Sequence, residues 1–402
     1  MARIKMNLGK KVEIFSKKKE VIKERIDRII NGIPQLNMET SMPNPQWDTI
    51  GKIEERMEMF KVPGISMAVI NNFEVEWAQC FGVKDIRTKE EVTLDTLFEG
   101  GSTSKTFTAA AVLNAVEKNL LDLDEKVNDK FKTWKIPEND FTKKSEVTLR
   151  QLLTHTAGIN RPDSMFGVEE GKVPTINQIL EGETPALNDP AKVVFTPGTD
   201  HNYSNLGYII IQKLYEDVTG KTLPNIIKEV VFTPLGMNRS TFEYPTGELK
   251  KKAIVPHDQD GIARETGLHP GASGHGGLLT TPAELCKFII ELMKSFNGKS
   301  SNILSLEMAQ QMLSSQVKID PAKLFGWTGQ GFGIFLIEEE EKLLITHPGT
   351  NMPGATCMMI ANPKTGQGAV IMANGINGEL LNIQILYAIV KEYEWPTMWV
   401  FQ

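Results

Sequence analysis

The sequence predicts an α+β fold, with one antiparallel sheet assembled from both chain ends, flanked by helices, and a mainly helical lobe inserted between them. Strand patterns occur at residues 65–70 and 73–78 and return only after residue 333, whereas residues 122–240 are mainly helical with long loops. Strands at both ends with helices between them favour one shared sheet. We therefore predict an N-terminal helical extension, residues 1–45, and a main domain, residues 46–402. Its helical lobe covers about 106–240, and its sheet lobe covers 46–105 and 241–402.

Hydrophobic periodicity predicts the N-terminal elements. Isoleucines and valines recur at helical spacing among charged residues in 10–31, which predicts an amphipathic helix. We expect this helix to dock on the main body rather than on an anionic membrane surface. A second helix is predicted from Trp47 to about Lys61, and Asn71-Asn72 predicts the turn of the first hairpin.

Capping and turn residues predict the later elements. Thr148 and Gln151 form a capping-box pattern, Gly220 is the stop signal of a helix that begins near Leu206, and Thr281 is the cap of a helix with proline at its first position. The remaining predictions are short helices at about 223–231 and 305–314, strands at 333–337, 342–346, 355–360 and 368–372, and a last helix at about 379–393.

Composition excludes several function classes. With 41% hydrophobic and 23% charged residues, the 402-residue chain is typical of a globular protein, and its net charge of −6 disfavours nucleic acid as a partner. No apolar run approaches the length of about 18 residues that a membrane span requires. The three cysteines are widely spaced and no H-E-x-x-H pattern occurs, so we predict neither a metal site nor a cofactor. The N-terminus lacks a signal-peptide pattern, so we expect a cytoplasmic protein. The oligomeric state stays open.

The tetrapeptide Ser-x-x-Lys is the first candidate for chemistry, and it occurs three times, starting at Ser16, Ser102 and Ser315. Only Ser102 follows a Gly-Gly turn and opens an Ala-rich, helix-forming run. A helix start favours a nearby oxyanion, and the spacing places Lys105 on the same helix face. Since a partly buried lysine can take the proton of a serine, we predict that Ser102 is an acyl-accepting nucleophile.

Two further stretches project polar groups from turns. Tyr203 and Asn205 follow a Pro-Gly turn at a predicted helix start. Tyr203 is a candidate base or proton shuttle if the charge of Lys105 lowers its pKa, and its structural alternative is an ordinary aromatic near a helix cap.

The stretch from His347 to Thr350 ends a predicted strand. Gly349 allows a substrate to approach the strand edge, and the N–H group of Thr350 is a candidate oxyanion donor. His347 is a polar wall residue or a proton-transfer group, and its structural alternative is a turn histidine on the rim of the sheet.

Taken in order, Ser102-x-x-Lys105, Tyr203-x-Asn205 and His347-x-Gly349 resemble the three motifs of the serine penicillin-recognising superfamily. The similarity is greatest to the branch of class C β-lactamases, DD-peptidases, related esterases and D-aminopeptidases. It covers about residues 45–393 and includes the stretches 152–158, 234–237 and 276–281. It implies a β-lactamase/transpeptidase-like fold, an acyl-enzyme on Ser102, no cofactor, and a small-molecule ester, amide or short peptide as substrate.

The resemblance also implies the roles of the other residues. Lys105 is the proton acceptor or an electrostatic partner, and Tyr203 is the base or exchanges protons with Lys105. Asn205 holds the acyl-side amide of the substrate or orients Lys105. The N–H groups of Ser102 and Thr350 form the oxyanion hole. His155 has no chemical role in this scheme and is interpreted as structural, while His275 and Gly276 are further candidates for lining the cleft.

The third motif departs from the pattern, because His347-Pro348-Gly349 stands where β-lactamases and DD-peptidases typically have Lys-Thr-Gly. A neutral imidazole is a weaker anion site than an ammonium group, so the chain looks more like the esterases and aminopeptidases. A β-lactamase or DD-carboxypeptidase is the alternative enzyme. A non-catalytic scaffold is the alternative of another class, against which the intact Ser102, Lys105 and Tyr203 argue.

Overall fold

The computed structural model describes residues 11–14, 19–34, 50–161, 169, 172–320, 326–339 and 342–395. Its strands are β1 Lys11–Ile14, β2 Ile33–Pro34, β3 Ile50–Gly51, β4 Gly64–Asn71, β5 Glu74–Asp85, β6 Glu90–Glu91, β7 Phe98–Glu99, β8 Leu279–Thr280, β9 Val317–Lys318, β10 Gly329–Gln330, β11 Phe335–Glu339, β12 Lys342–Thr346, β13 Gly349–Asn351, β14 Ala355–Asn362 and β15 Gln367–Ala373. Its α-helices are α1 Lys19–Asn31, α2 Ile53–Phe60, α3 Ser104–Glu117, α4 Leu149–Leu153, α5 Ile176–Glu181, α6 Asn205–Thr219, α7 Leu223–Ile227, α8 Thr233–Leu235, α9 Gly247–Lys252, α10 Pro282–Phe296, α11 Leu306–Met312 and α12 Gly378–Glu392.

The main sheet joins the two ends of the chain. Its strand order is β1-β5-β4-β15-β14-β12-β11-β10-β9, with β13 and β6 attached to β14 and β5. The central junction is the antiparallel pair of β4 and β15, in which Met67 lies opposite Ile371. The predicted α+β class and the shared sheet are therefore confirmed. The domain boundaries at residues 45 and 46 stay a prediction.

Helices cover both faces of this sheet. The long helix α10 packs on β4, β5 and β15, whereas α12 packs on β14 and β15 from the other face, where α1 and α2 contact it. In the helical lobe, α3 lies against α6 and α7, and its alanines Ala109, Ala110 and Ala111 have no exposed surface. Because small side chains allow neighbouring elements to approach closely, α3 is held on all sides, which fixes the turn that carries Ser102.

The N-terminal helix begins later than predicted. Residues 11–14 form strand β1 on the outer edge of β5, and the helix runs only from Lys19. The alternating sequence of this tetrapeptide suits a strand, and an edge strand offers it unpaired backbone groups. The docking of α1 is confirmed, because its isoleucines are buried and Arg28 pairs with Glu392 of α12 at 2.8 Å.

The second helix and the hairpin turn also differ from the prediction. Helix α2 begins at Ile53, after the short strand β3; residues 47–49 of the predicted helix lie outside the described residues. The hairpin turn is formed by Asn72 and Phe73, with φ angles of 53° and 61°, rather than by Asn71. Asn71 still pairs with Glu74, and the Phe73 N–H donates to the carbonyl of Gly366 at 2.9 Å, which holds the phenylalanine in the left-handed region.

Most later elements match their predictions. The Thr148 capping box, the cap at Thr281 and the stop at Gly220, whose φ is 70°, are all present. The helix predicted to end near 231 instead continues to Leu235 through a π-helical turn, Lys228–Phe232. Within the residues described, no helix is long and apolar enough to cross a membrane.

His347 does not end a strand as predicted. Strand β12 stops at Thr346, and Gly349 opens a separate strand, β13, which pairs with β14. The intervening Pro348 has no N–H group to donate to a ladder, so the chain leaves the sheet for two residues. His347 therefore lies at a break between two strands.

Candidate active site

The Ser102–Lys105 pair lies at the start of α3. Ser102 is the middle residue of the 3₁₀ turn Gly101–Thr103, and its side chain is half-buried. Lys105 is fully buried, and its Nζ lies 3.0 Å from Ser102 Oγ and 2.7 Å from the carbonyl oxygen of His275. The amine is thus held between the serine and a fixed backbone acceptor, in position to exchange a proton with Ser102.

Two glycines allow the serine turn and strand β13 to touch. Gly101 has a φ of 50°, and a Cβ atom at this position would lie 2.5 Å from the backbone nitrogen of Thr350. A Cβ atom on Gly349 would overlap the carbonyl oxygen of Gly100. A side chain at either position would push the two backbones apart. The glycines therefore bring the backbone of Thr350 to the turn that carries Ser102.

Hydroxyl groups around the first turn of α3 form hydrogen bonds with the backbone of the neighbouring loops. Thr103 Oγ1 donates to the carbonyl oxygen of His347 at 2.8 Å, and Ser104 Oγ accepts from the N–H of Leu278 at 2.9 Å. One turn later, Thr108 Oγ1 donates to the carbonyl oxygen of Gly274 at 2.8 Å. These bonds are buried, so the loops that contribute His275 and His347 are held at fixed positions relative to Ser102.

Burial governs the protonation of Lys105. Its pKa lies well below the usual value of a lysine, first because the ammonium form is desolvated and second because Arg161 is positively charged. The neutral amine is thereby favoured, and a neutral amine can accept a proton.

Tyr203 lies beside this amine, although not in the protonation state that the sequence suggested. Lys105 Nζ is 4.9 Å from the centre of the Tyr203 ring. Burial raises the pKa of the phenol, and the Ser102 hydroxyl and Arg161 only partly oppose the shift. The expectation that Lys105 lowers the Tyr203 pKa is wrong, because the desolvation that neutralises the lysine also stabilises the neutral phenol.

Helix α6 positions the second motif. Ser204 is the cap of α6, and its Oγ accepts from the N–H of Gly207, so Tyr203 precedes the helix and Asn205 opens it. Asn205 Oδ1 is buried without a hydrogen-bond partner among the described residues. His155, which was interpreted as structural, accepts from the Ser204 N–H through Nδ1 at 3.1 Å, and its ring lies 4.4 Å from that of Tyr203. It therefore supports Tyr203 directly.

The third motif presents a neutral imidazole. His347 is 1% exposed, and burial lowers its pKa to about 3. Its Nδ1 lies 3.0 Å from the carbonyl oxygen of Pro348, which can only accept, so Nδ1 carries the hydrogen. Nε2 then holds a lone pair, and it has no partner within the described part of the chain.

The other predicted site residues lie nearby. Thr350, in β13, donates through Oγ1 to the carboxylate of Glu379. The carbonyl of His275 binds Lys105, and the carbonyl of Gly276 accepts from Asn351 Nδ2 at 3.1 Å. The structure therefore brings all seven predicted residues into one region around α3, β13 and the start of α6.

Sequence reasoning missed Arg161, Glu379 and Glu99. The guanidinium carbon of Arg161 lies 5.8 Å from the centre of the Tyr203 ring. Glu99 is buried directly before the Gly-Gly turn, its pKa is raised by desolvation, and it accepts from Thr266 and Asn351. Arg161 and Glu379 belong to no motif. An acidic residue beside the glycines was the only signal that pointed to Glu99.

Over the described residues, no group of three or more His, Cys, Asp and Glu side chains could hold a metal ion.

The family description "Beta-lactamase" matches residues 50–388, which is most of the chain. The chain belongs to the beta-lactamase family. This assignment places it in the serine penicillin-recognising superfamily and confirms the resemblance inferred from the three motifs.

Similar proteins agree with this placement. The octameric penicillin-binding protein homologue from Pyrococcus abyssi superposes with a TM-score of 0.68 at 28% identity, over 85% of this chain and 76% of the homologue. The D-amino acid amidase from Ochrobactrum anthropi superposes with a TM-score of 0.69 at 21% identity, over 93% and 99% of the two chains, and shows the shared fold. The unguisins hydrolase of Aspergillus violaceofuscus is 26% identical over 259 residues, which is 60% of this chain. The chain spans 44% of the length of that hydrolase. It spans 64% of the length of a second relative, the protein flp of Staphylococcus aureus, to which it is 24% identical over 347 residues.

Proposed function

We propose that the protein is a serine hydrolase that cleaves small esters or amides through an acyl-enzyme on Ser102. The observation that carries the proposal is the buried Lys105 amine, 3.0 Å from Ser102 Oγ, with its pKa held well below normal. A serine hydroxyl becomes nucleophilic when an adjacent base accepts its proton. The family and the similarity to a fungal hydrolase support a hydrolase of this superfamily.

In the first half-reaction, Ser102 Oγ attacks the substrate carbonyl carbon while its proton passes to Lys105 Nζ. The N–H groups of Ser102 and Thr350 stabilise the negative charge that develops on the carbonyl oxygen. The proton then moves from the Lys105 ammonium to the leaving alcohol or amine as the bond to the carbonyl carbon breaks. This leaves the acyl group on Ser102 and a neutral Lys105.

In the second half-reaction, water attacks the acyl-enzyme and gives its proton to Lys105. The tetrahedral intermediate collapses, Ser102 Oγ takes the proton back, and the acid is released. Tyr203 serves as a neutral phenol, whose hydrogen bond supports Ser102 Oγ or the leaving group, because its raised pKa disfavours the phenolate. Asn205, with an unpartnered buried oxygen, offers an acceptor for an N–H group of the substrate.

The third motif directs the proposal towards esters and amides without a carboxylate. His347 stands where a lysine would attract an anion, and its lowered pKa keeps the ring neutral. We therefore expect β-lactams and peptides ending in D-alanine, which carry a carboxylate, to be poor substrates.

A substrate panel tests the proposal. We expect wild type to hydrolyse p-nitrophenyl acetate and D-alanine p-nitroanilide faster than nitrocefin. Ser102→Ala should lower kcat/KM on every substrate by at least about 10³-fold while the protein stays folded. Thermal denaturation checks the fold. Ser102→Ala with wild-type kcat/KM would refute the proposal, and nitrocefin as the best substrate would favour the β-lactamase alternative.

A further inference from the structure

An acidic side chain stands next to the residue that carries the proposed oxyanion donor. Glu379 is exposed in the first turn of α12, and its carboxylate accepts a hydrogen bond from Thr350 Oγ1. The backbone N–H of the same Thr350 is the group that we assign to the oxyanion hole. A negative charge therefore lies one side chain away from the expected position of the reacting carbonyl.

The other polar group of this segment is also an acceptor. His347 Nδ1 donates to the carbonyl of Pro348, so the lone pair of the neutral ring is on Nε2, which is buried and unpartnered among the described residues. His347 Nε2 and the Glu379 carboxylate thus place an acceptor and a negative charge beside the Thr350 N–H. This polarity is opposite to that of a lysine at the same motif, and it suits a donor with a positive charge.

The Tyr203 side of the site carries a positive charge. Arg161 lies over the Tyr203 ring, with its guanidinium carbon 5.8 Å from the ring centre. Its positive charge contributes, after burial, to the lowered pKa of Lys105. A cationic group on the substrate is consequently repelled from the Tyr203 side and attracted to the strand side. The two charges together would orient a substrate that has one charged end.

We propose that Glu379 selects substrates that carry a protonated amino group close to the scissile carbonyl, as α-amino esters and α-amino amides do. The inference rests on the proposed hydrolase function and deepens it by naming the substrate class. The ammonium group donates to the Glu379 carboxylate while the carbonyl oxygen accepts from the Thr350 N–H. A substrate carboxylate in the same place is repelled by Glu379.

Glu379 also has a competing structural explanation. An acidic residue in the first turn of a helix stabilises that helix through its dipole, whatever the substrate. Helix α11 offers a matched control, because Glu307 occupies the same second position after its cap and is also exposed. A purely structural role would make Glu379→Gln and Glu307→Gln behave alike.

Three p-nitroanilides that differ only at the amino group test the proposal: D-alanine p-nitroanilide, its neutral N-acetyl form and its anionic N-succinyl form. Wild type should prefer the free amine. Glu379→Gln should lower the ratio of kcat/KM for the free amine to that for the N-acetyl form by about twofold to fivefold, mainly through KM, as expected for an exposed charge pair. Glu379→Lys should invert the order and favour the N-succinyl form. Glu307→Gln should leave all three ratios as in wild type.

Each failure has a separate meaning. If wild type and Glu379→Gln show the same ratio while both hydrolyse p-nitrophenyl acetate, the amino-group subsite is refuted and the hydrolase function stands. If Glu307→Gln changes the ratio as much as Glu379→Gln does, the effect belongs to helix stability and the subsite is again refuted. If wild type hydrolyses none of the anilides or p-nitrophenyl acetate, the proposed function fails, and the inference with it.

Discussion

Two copies of one tetrapeptide, Ser102–Lys105 and Ser315–Lys318, have entirely different surroundings. At the first copy, Lys105 is fully buried and bonds to Ser102 Oγ at 3.0 Å. At the second copy, Ser315 Oγ donates to the carbonyl of Val317 at 3.1 Å, and Lys318 is exposed in edge strand β9. The third copy begins at Ser16, outside the described residues.

The difference shows that backbone conformation and burial, rather than the tetrapeptide, bring the Ser102 hydroxyl and the Lys105 amine together. A helical turn places residues three apart on the same face, whereas three steps along an extended chain separate them by about 10 Å and point them to opposite faces. Burial also lowers the pKa of Lys105, because it disfavours the ammonium form. The comparison can be tested by changing the two copies in parallel.

The largest expected effect comes from replacing the two lysines. Lys105→Met should lower kcat/KM by about 10²–10⁴-fold, because the serine loses its proton acceptor while the similar volume preserves packing. Lys318→Met should retain wild-type activity, because its side chain is exposed in an edge strand. Steady-state kinetics on p-nitrophenyl acetate, with thermal denaturation of both variants, measures the contrast. Equal losses in the two variants would remove the distinction.

A smaller effect is expected from Arg161. The neutral Lys105 is the active form, so kcat/KM rises with pH as Lys105 loses its proton. Because the charge of Arg161 lowers the Lys105 pKa, Arg161→Gln should raise that pKa and move the acidic limb of the profile to higher pH, by up to about one pH unit. The control is Arg28→Gln, since Arg28 pairs with Glu392 on the other face of the sheet. If the acidic limb of the pH profile is the same in Arg161→Gln as in wild type, the charge of Arg161 does not affect the pKa of Lys105.

The fold and the main trio could be predicted because their signals are local or ordered along the chain. The Thr148 capping box, the cap at Thr281 and the stop at Gly220 need only neighbouring residues. Ser102, Lys105 and Tyr203 follow a known order of motifs. The beginning of α1 and the position of the hairpin turn were wrong, since β5 and Gly366 decide them from far along the chain.

The charges around the site could not be predicted for the same reason. Arg161 lies 42 positions before Tyr203, and Glu379 lies 29 positions after Thr350, so only the folded chain shows that each pair meets. The sign of the Tyr203 pKa shift depends on burial, which no motif records. Motifs thus indicated the atoms that we propose to react, whereas the groups that we assign to substrate selection emerged only from tertiary contacts.

Covalent labelling would identify the nucleophilic serine directly. The 402-residue protein is treated with a fluorophosphonate probe, digested, and analysed by mass spectrometry to locate the adduct. We expect one adduct, on Ser102, that is absent from Ser102→Ala and still present in Ser315→Ala. An adduct on Ser315, or no adduct on Ser102 under conditions that label another serine hydrolase of this family, would contradict this expectation.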